Sequence, residues 1–383
     1  MKYGLISYDY TINLGNEIQS IAARRFLPKV DYYIDHEKIH EFDENENVKM
    51  IMNAWYLDCL KAWPPSENIN PLLISMHFNS KKQTQKVILS DESREFLSEY
   101  GPVGCRDYYT QNFLQQNDIE AYFSGCLTLT LDSGNKYNYK DENNEYILIS
   151  SDKSSELIPF LKQKTEKKIY VINQDFPPSF DKAFPGSIPK SLYNFTSYYN
   201  AEEKFFIAEN ILRLYENASC VITDRLHCAL PCLALKTPVL SFNTRPKQER
   251  FDGLNSLLLQ TNLNDYLNNY NIFDVDNPPE NSREYLKIRE KLIERCEKFT
   301  GHINESCYLD SSYNQILDKN TLFLSRQSKD TRNYMVDVLN MAEEYENKIR
   351  EQHETIEKQK QIIEEYKNST SWKITSPLRK IKR

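Results

Sequence analysis

Two successive series of short apolar segments alternate with amphipathic ones along most of this chain. The first series runs from YGLISY (3–8) to LTLTL (127–131), and the second from YILIS (146–150) to FDGLNSLLL (251–259). Short apolar strands that alternate with helices are typical of parallel sheets covered on both faces. The polar segment 132–145 separates the two series and predicts a domain boundary. The sequence therefore predicts an α/β protein with two Rossmann-like domains that face each other across a cleft.

The remainder of the chain has a different pattern. From about Met335, apolar residues recur at alternating spacings of three and four, which is typical of a coiled coil and predicts a homodimer. Because Gln352 and Gln359 occupy core positions of this repeat, a long solvated helix is the alternative. We predict four parts: an N-terminal α/β domain at 1–135, a C-terminal α/β domain at 136–305, a helical extension at 306–368 with the coiled coil from about 335, and a basic amphipathic tail at 369–383.

Composition narrows the functional classes. A formal net charge of −7 gives no general attraction to nucleic acid, so any anion site must be local. The eight cysteines and six histidines show no spacing typical of a disulfide framework or a zinc site. We find no apolar run of about 18 residues and no signal-peptide pattern. We expect a cytoplasmic protein with no metal and no nucleic-acid partner.

The tail contains five cations, one Trp and no acidic residue. Such a segment suits the surface of an anionic membrane or a protein partner, and a solvated tail has the same composition. We therefore expect either a functional contact or a solvated tail. The functional contact would be peripheral binding to the inner face of the cytoplasmic membrane, or packing on a protein partner.

One strand-to-helix junction, TDRLHCALP, carries polar residues in an apolar setting. Thr223 or Asp224 should cap the helix. Arg225 and His227 then lie at the carboxyl end of a parallel strand and in the first helical turn, where backbone N–H groups and the helix dipole favour anions. A structural role, with Arg225 paired to Asp224, is the alternative. Pro231 lacks the N–H that would bond to the carbonyl of His227, which leaves that carbonyl for water or a ligand.

Two further groups of cations follow strand ends. The loop NTRPKQER presents Arg245, Lys247 and Arg250 after the strand PVLSF. In the first domain, Arg106 and Asp107 stand before a helix, which is also typical of ordinary helix capping. Across a cleft, Arg106 would face the same site as the loop. Together these cations predict a compact positive pocket for a small, highly charged anion.

The loop TINLGNEIQS (11–20) joins the first strand to the first helix. Its single glycine, Gly15, is a weak signal that is also typical of a simple turn. The polar residues Asn13, Asn16 and Glu17 are candidates for contact with an acceptor substrate.

The ordered set TINLGNEIQS, VGCRDYYTQNFL with AYFSGCLTLTL, and VITDRLHCALPCLALKTPVLSF resembles the polysaccharide pyruvyl transferase family. The resemblance covers about residues 3–260. It implies a two-domain fold similar to that of GT-B glycosyltransferases, and transfer of the pyruvyl group of phosphoenolpyruvate to a sugar, usually as a cyclic ketal. It also implies that His227 is the catalytic acid, assisted by Arg225. The implied phosphoenolpyruvate ligands are Arg106, Arg225, Leu226 and Lys247.

Three positions depart from the family pattern, and one of them, Lys236 in place of a frequent Gly, is interpreted as a surface change. Asn16 stands where the family often has Asp, which weakens the expectation of an acceptor contact there. Asp224 stands where Ser is common, and a carboxylate beside Arg225 would weaken the positive field of the pocket.

The expected chemistry suits these residue types. Phosphoenolpyruvate carries a phosphate and a carboxylate, for which Arg offers bidentate geometry and Lys a point charge. An imidazolium can protonate its methylene carbon, so that a sugar hydroxyl attacks C2. We predict a pyruvyl transferase of bacterial surface polysaccharide biosynthesis that needs no cofactor and acts on a lipid-linked sugar. The alternatives are a nucleotide-sugar-dependent GT-B-type glycosyltransferase and a non-catalytic coiled-coil scaffold of an envelope biosynthesis complex.

Overall fold

Short parallel strands form the N-terminal part of the fold in the computed structural model. In the described residues, four of them form a sheet in the order β2-β1-β3-β5, while β4 pairs with β6 and β7 with β8. The strands are β1 (Lys2–Ser7), β2 (Tyr32–Asp35), β3 (Val48–Met52), β4 (Trp55–Tyr56), β5 (Ile69–Leu73), β6 (His77–Phe78), β7 (Val103–Cys105) and β8 (Ala121–Phe123).

A second parallel sheet follows in the order β10-β9-β11-β12-β13. Its strands are β9 (Tyr146–Ser150), β10 (Lys168–Val171), β11 (Cys220–Thr223), β12 (Val239–Phe242) and β13 (Leu259–Thr261). Every residue of β11 and β12 is buried, as expected for strands covered on both faces. Thr223 pairs with Ser150 on one side and with Ser241 on the other, so three strands end at one edge.

Helices alternate with these strands, which confirms the predicted α/β class with parallel sheets. They are α1 (Gly15–Arg24), α2 (Lys82–Ile88), α3 (Asp91–Glu99), α4 (Tyr108–Gln115), α5 (Ser154–Leu161), α6 (Ala201–Asn217), α7 (Leu226–Ala234), α8 (Leu263–Asn268) and α9 (Leu286–Thr300).

The structure describes residues 1–9, 11, 13–44, 46–57, 59–134, 145–172, 174, 201–242 and 248–308, and scattered residues between 355 and 370. Met1–Leu309 form one compact unit, which contains both sheets, and Asp310–Arg383 form another. The predicted boundary at 135/136 lies outside the described residues and stays a prediction.

The prediction of a strand at LTLTL is wrong, because Leu127–Thr130 form a 3-10 helix. The hydroxyl of Thr130 donates to the carbonyl of Leu127 at 2.7 Å, and the N–H of Leu129 donates to the carbonyl of Cys126 at 3.0 Å. Such local bonds compete with a strand ladder. All four residues of this 3-10 helix are buried. The alternation of Leu and Thr therefore does not correspond to one buried and one exposed face of a strand.

Helix α9 contacts the N-terminal part of the same unit through Arg289. The guanidinium donates to the carbonyls of Leu129 and Leu131 at 2.7 and 2.8 Å and lies 2.6 Å from a carboxylate oxygen of Asp132. The two chain segments that carry the two sheets are therefore tied together by charge-assisted hydrogen bonds.

In the second unit, the described residues are mostly helical. Ile356 and Ile363, two core positions of the predicted coiled coil, are about half exposed, at 47% and 53%. The start of the repeat near Met335 and most of the tail 369–383 lie outside the described residues, so both stay predictions. Within the described part of the chain, no helix combines the length and apolarity needed to span a membrane.

Candidate functional site

His227 lies where the beginnings of three helices meet. It occupies the first turn of α7, with φ −82° and ψ 19°, and its side chain is almost fully buried. Arg106, just before α4, places Nη1 3.5 Å from Nε2 of His227. Gly15 begins α1, and a Cβ on that residue would lie 3.1 Å from Cβ of His227. The N-terminal ends of α1, α4 and α7 therefore converge on one imidazole, as suits an anion site.

The predicted N-cap of α7 is wrong. Arg225 occupies the cap position and makes no capping bond with its side chain. Thr223 is engaged in the sheet, since its hydroxyl donates to the carbonyl of Ser150 at 2.8 Å and accepts from the N–H of Arg225 at 3.0 Å. The carboxylate of Asp224 accepts from the loop after β9 instead.

The carbonyl of His227 has a protein partner, contrary to the prediction that Pro231 leaves it for water or a ligand. The side-chain amide of Gln174 donates to it at 2.9 Å. The backbone carbonyl of Gln174 in turn accepts from the N–H of Leu14 at 2.9 Å. This buried glutamine therefore couples the loop before α1 to the first turn of α7.

Arg106 is a buried cation with unused donors. Its side chain is 1% exposed, and Nη1 lies 3.3 Å from the amide oxygen of Gln19. Nε lies 3.9 Å from a carboxylate oxygen of Asp107. In the described part of the chain, neither Nε nor Nη2 has a hydrogen-bond partner. Unsatisfied buried donors on a charged group are costly, so a bound anion would stabilise this arrangement.

Beside Arg106 lies a histidine that the sequence analysis did not single out. Nδ1 of His77 is 2.6 Å from a carboxylate oxygen of Asp107, and both side chains are buried. Asp107 also caps α4 by accepting from the N–H and the hydroxyl of Thr110 at 2.9 and 2.8 Å. His77 is the penultimate residue of the apolar segment PLLISMHF (71–78), and its position after a buried strand was the available signal.

Arg250 reaches the same region from a short helix between β12 and β13. Its guanidinium carbon lies 5.5 Å from the centre of the Trp55 ring. The short helix Gln248–Phe251 is fastened to the N-terminal part of the unit, because the hydroxyl of Ser80 donates to Glu249 at 2.8 Å. The contribution of Arg250 to an anion pocket stays a prediction. Lys247 and Arg245 lie outside the described residues, and the role of Lys247 stays a prediction.

The electrostatics of the site favour a neutral imidazole and an ionised carboxylate. Burial, the charges of Arg106 and Arg250 and a further contribution from His77 lower the pKa of His227 well below its usual value. Burial opposes ionisation of Asp107, but the hydrogen bond from His77 and the charges of His77 and Arg106 lower its pKa overall. Such shifts are typical of functional sites. A ligand with several negative charges would favour protonation of His227.

Arg225 contacts a different group from those around His227. Its Nη2 lies 3.6 Å from a carboxylate oxygen of Asp152, which is largely exposed. The carboxylate of Asp224 accepts from the hydroxyl of Ser151 at 3.0 Å and from the N–H of Asp152 at 3.1 Å. Leu226 is buried, so a ligand contact would have to come from its backbone. The predicted donor contacts of Arg225 and Leu226 remain untested.

The three predicted acceptor residues have contacts of their own. The side-chain oxygen of Asn13 accepts from the N–H of Gly15 at 3.1 Å, and the amide of Asn16 donates to the hydroxyl of Thr11 at 3.1 Å. Both asparagines are half-buried. Glu17 is buried and lies 2.9 Å from Nζ of Lys204 on α6. The carboxylate of Glu17 therefore has a structural partner in Lys204. Its contact with an acceptor stays a prediction.

Two comparisons with known proteins bear on the family of this chain. A search of curated proteins found no match. The family model described as polysaccharide pyruvyl transferase matches residues 13–246, which is more than half of the 383 residues and includes Gly15, Arg106 and His227. The chain belongs to the polysaccharide pyruvyl transferase family.

Proposed function

We propose that this protein transfers the pyruvyl group of phosphoenolpyruvate to two hydroxyls of one sugar, as a ketal, in bacterial surface polysaccharide biosynthesis. The observation that carries the proposal is the buried guanidinium of Arg106. It lies 3.5 Å from His227, and two of its nitrogens lack hydrogen-bond partners in the described residues. A phosphate or carboxylate would satisfy these donors in bidentate geometry.

The donor carries both anionic groups on one three-carbon unit. Arg106 and Arg250 would face them, while the first turn of α7 adds the positive end of a helix dipole. The low pKa of His227 keeps the imidazole neutral before the donor binds. The negative charges of the donor then raise this pKa, so His227 becomes protonated in the complex that needs an acid.

Protonation of the donor by His227 is the first chemical step. His227 donates its proton to C3 of the donor, and positive charge develops at C2. One sugar hydroxyl attacks C2 and loses its proton, and the C2–O bond to phosphate breaks with the electron pair on phosphate. A second hydroxyl of the same sugar then closes the ketal. The protons balance, because the two sugar hydroxyls lose two protons in total. One of these replaces the proton gained by C3, and the other leaves on hydrogen phosphate.

The proposal includes a lipid-linked acceptor and a paired coiled coil. The cations of 369–383 support a contact with an anionic membrane, where such an acceptor would reside. The exposed Ile356 and Ile363 support pairing of two chains. Flotation with phosphatidylglycerol vesicles tests the first expectation, and light scattering of the full chain tests the second.

The donor is tested by calorimetric titration of phosphoenolpyruvate into wild-type protein, Arg106→Gln and Arg94→Gln. Arg94 is a matched control, because its guanidinium donates to the carbonyls of Leu89 and Asn117 in a separate part of the fold. We expect binding by the wild type and by the control, and at least a tenfold weaker affinity for Arg106→Gln. Circular dichroism establishes that each variant is folded.

Uridine diphosphate glucose is titrated in parallel. Binding of this nucleotide sugar without binding of phosphoenolpyruvate would replace the proposal with a glycosyltransferase. If neither compound bound, the non-catalytic scaffold would become the better account.

A further inference from the structure

The structure holds a second imidazole beside the one that the family resemblance assigns. His77 follows the buried segment β5 at the start of β6, and its side chain is 1% exposed. Its ring packs against that of Trp55 of β4 in a T-shaped arrangement, with ring centres 6.2 Å apart. His77 therefore belongs to the two-stranded β4-β6 pair of the N-terminal part, whereas His227 belongs to a helix that follows a strand of the second parallel sheet.

Asp107 fixes the orientation and the tautomer of His77. Its Oδ2 lies 2.6 Å from Nδ1 of His77, while its Oδ1 accepts two hydrogen bonds from Thr110. These two bonds hold the carboxylate at the start of α4. The carboxylate therefore provides a fixed acceptor for Nδ1 of His77. A neutral His77 that donates from Nδ1 to Asp107 has its lone pair on Nε2.

A chain of contacts connects the two imidazoles. Asp107 adjoins Arg106, whose Nε lies 3.9 Å from Oδ2 of Asp107 and whose Nη1 lies 3.5 Å from Nε2 of His227. His77 also contributes to the electrostatic environment of His227. The two side chains therefore belong to one site, with the unpaired donors of Arg106 between them.

The charged groups around His77 favour a neutral ring near pH 7. Burial lowers its pKa, as do the charges of Arg106 and Arg250, while the hydrogen bond and the charge of Asp107 raise it. The net shift is downward. Trp55 adds no titratable group. A neutral imidazole oriented by a carboxylate is suited to accept a proton.

We propose that His77, oriented by Asp107, is the base that removes the proton from the attacking sugar hydroxyl. This role rests on the proposed function. The hydroxyl O–H bond breaks and its proton moves to Nε2 of His77, while the oxygen forms a bond to C2 of the donor. The proton then leaves His77 with the departing phosphate, as hydrogen phosphate. The proton of the second hydroxyl replaces the one that His227 gave to C3.

The test measures phosphate release from phosphoenolpyruvate with two acceptor preparations, a panel of aryl hexopyranosides and lipid-linked saccharides extracted from the producing cells. The first variant is His77→Asn, whose amide can still donate to Asp107. We expect its affinity for phosphoenolpyruvate to change less than threefold and its kcat to fall about 10²- to 10⁴-fold, the usual contribution of a general base.

Two further measurements separate a catalytic role from a structural one. The kcat/KM of the wild type should fall on the acidic side as His77 becomes protonated, and His77→Asn should lack this limb. In His77→Ala, added imidazole should restore part of the rate. Thr110→Val is the control for altered packing, because it removes the hydroxyl contacts with Asp107, the N–H of Phe78 and Nδ1 of His77 but no titratable group. Its pH profile should resemble that of the wild type.

The outcomes distinguish the two proposals. A wild type that does not bind phosphoenolpyruvate, or releases no phosphate with either acceptor preparation, overturns the proposed function and this role with it. An active wild type whose His77→Asn variant keeps its kcat within threefold, or keeps the acid limb, overturns the role of His77 alone. Absence of imidazole rescue in a folded His77→Ala also contradicts it.

Discussion

A single added methyl group at Gly15 should disturb catalysis more than stability. Its Cβ would lie 3.0 Å from the side-chain oxygen of Asn13, 3.1 Å from Cβ of His227 and 3.3 Å from Nδ1 of His227. These contacts are tighter than ordinary van der Waals contact, so His227 or Asn13 must move by a few tenths of an ångström. Alanine gains up to about 1 kcal/mol over glycine inside a helix, and less at the first residue.

We therefore expect Gly15→Ala to change the free energy of unfolding by less than about 1 kcal/mol. A displacement of about 1 Å can lower a rate about 10²-fold, so a shift of a few tenths should lower kcat about tenfold. Urea denaturation and the phosphate-release assay measure the two quantities. Gly4→Ala is the contrasting control, because its Cβ would lie 2.8 Å from Ile34 in the core, and it should lose stability. An unchanged kcat in Gly15→Ala would refute the idea that α1 fixes His227.

Four other perturbations have defined outcomes. The pKa of His227 in the folded protein lies below the value of about 6.5 in the unfolded chain. The free energy of unfolding should therefore fall as the pH drops from about 7 to about 5. His227→Gln should make this fall smaller, as measured by urea titration at each pH. For the same reason, calorimetry in buffers of different ionisation enthalpy should show proton uptake when phosphoenolpyruvate binds. Lys204→Met leaves the buried Glu17 unpaired and should cost about 3–5 kcal/mol by urea denaturation, part of which Glu17→Gln should restore. Gly253→Ala should cost about 1–3 kcal/mol in the same assay, because φ is +83° and its Cβ would lie 2.7 Å from Phe123.

The alternation of strands and helices was predictable because burial on both faces forces apolar runs into the strands. The same pattern placed Arg106 and His227 at the carboxyl ends of strands, where proteins with parallel sheets bind their ligands. Nη1 of Arg106 lies 3.5 Å from Nε2 of His227, although the two residues are 121 positions apart in the sequence. Local sequence therefore predicted the element on which each lies, and the family resemblance suggested that they share a site.

The specific partners were not predictable in this way. The hydrogen bond from Gln174 to the carbonyl of His227 joins positions 53 residues apart, and no local pattern specifies it. The pairing of His77 with Asp107 spans 30 residues and depends on where β6 begins and β7 ends. Arg225 pairs with Asp152, whose own N–H donates to Asp224. Each of these contacts is set by tertiary packing.

The identity of the product distinguishes ketal transfer from enolpyruvyl transfer and from glycosyl transfer. The protein is incubated in D₂O with phosphoenolpyruvate and the lipid-linked saccharides, and the isolated product is studied by NMR and mass spectrometry. We expect a ketal whose methyl group carries one solvent deuteron, since C3 receives its proton from an exchangeable group. A vinyl ether that retains the methylene group, or a saccharide extended by a sugar, would contradict it.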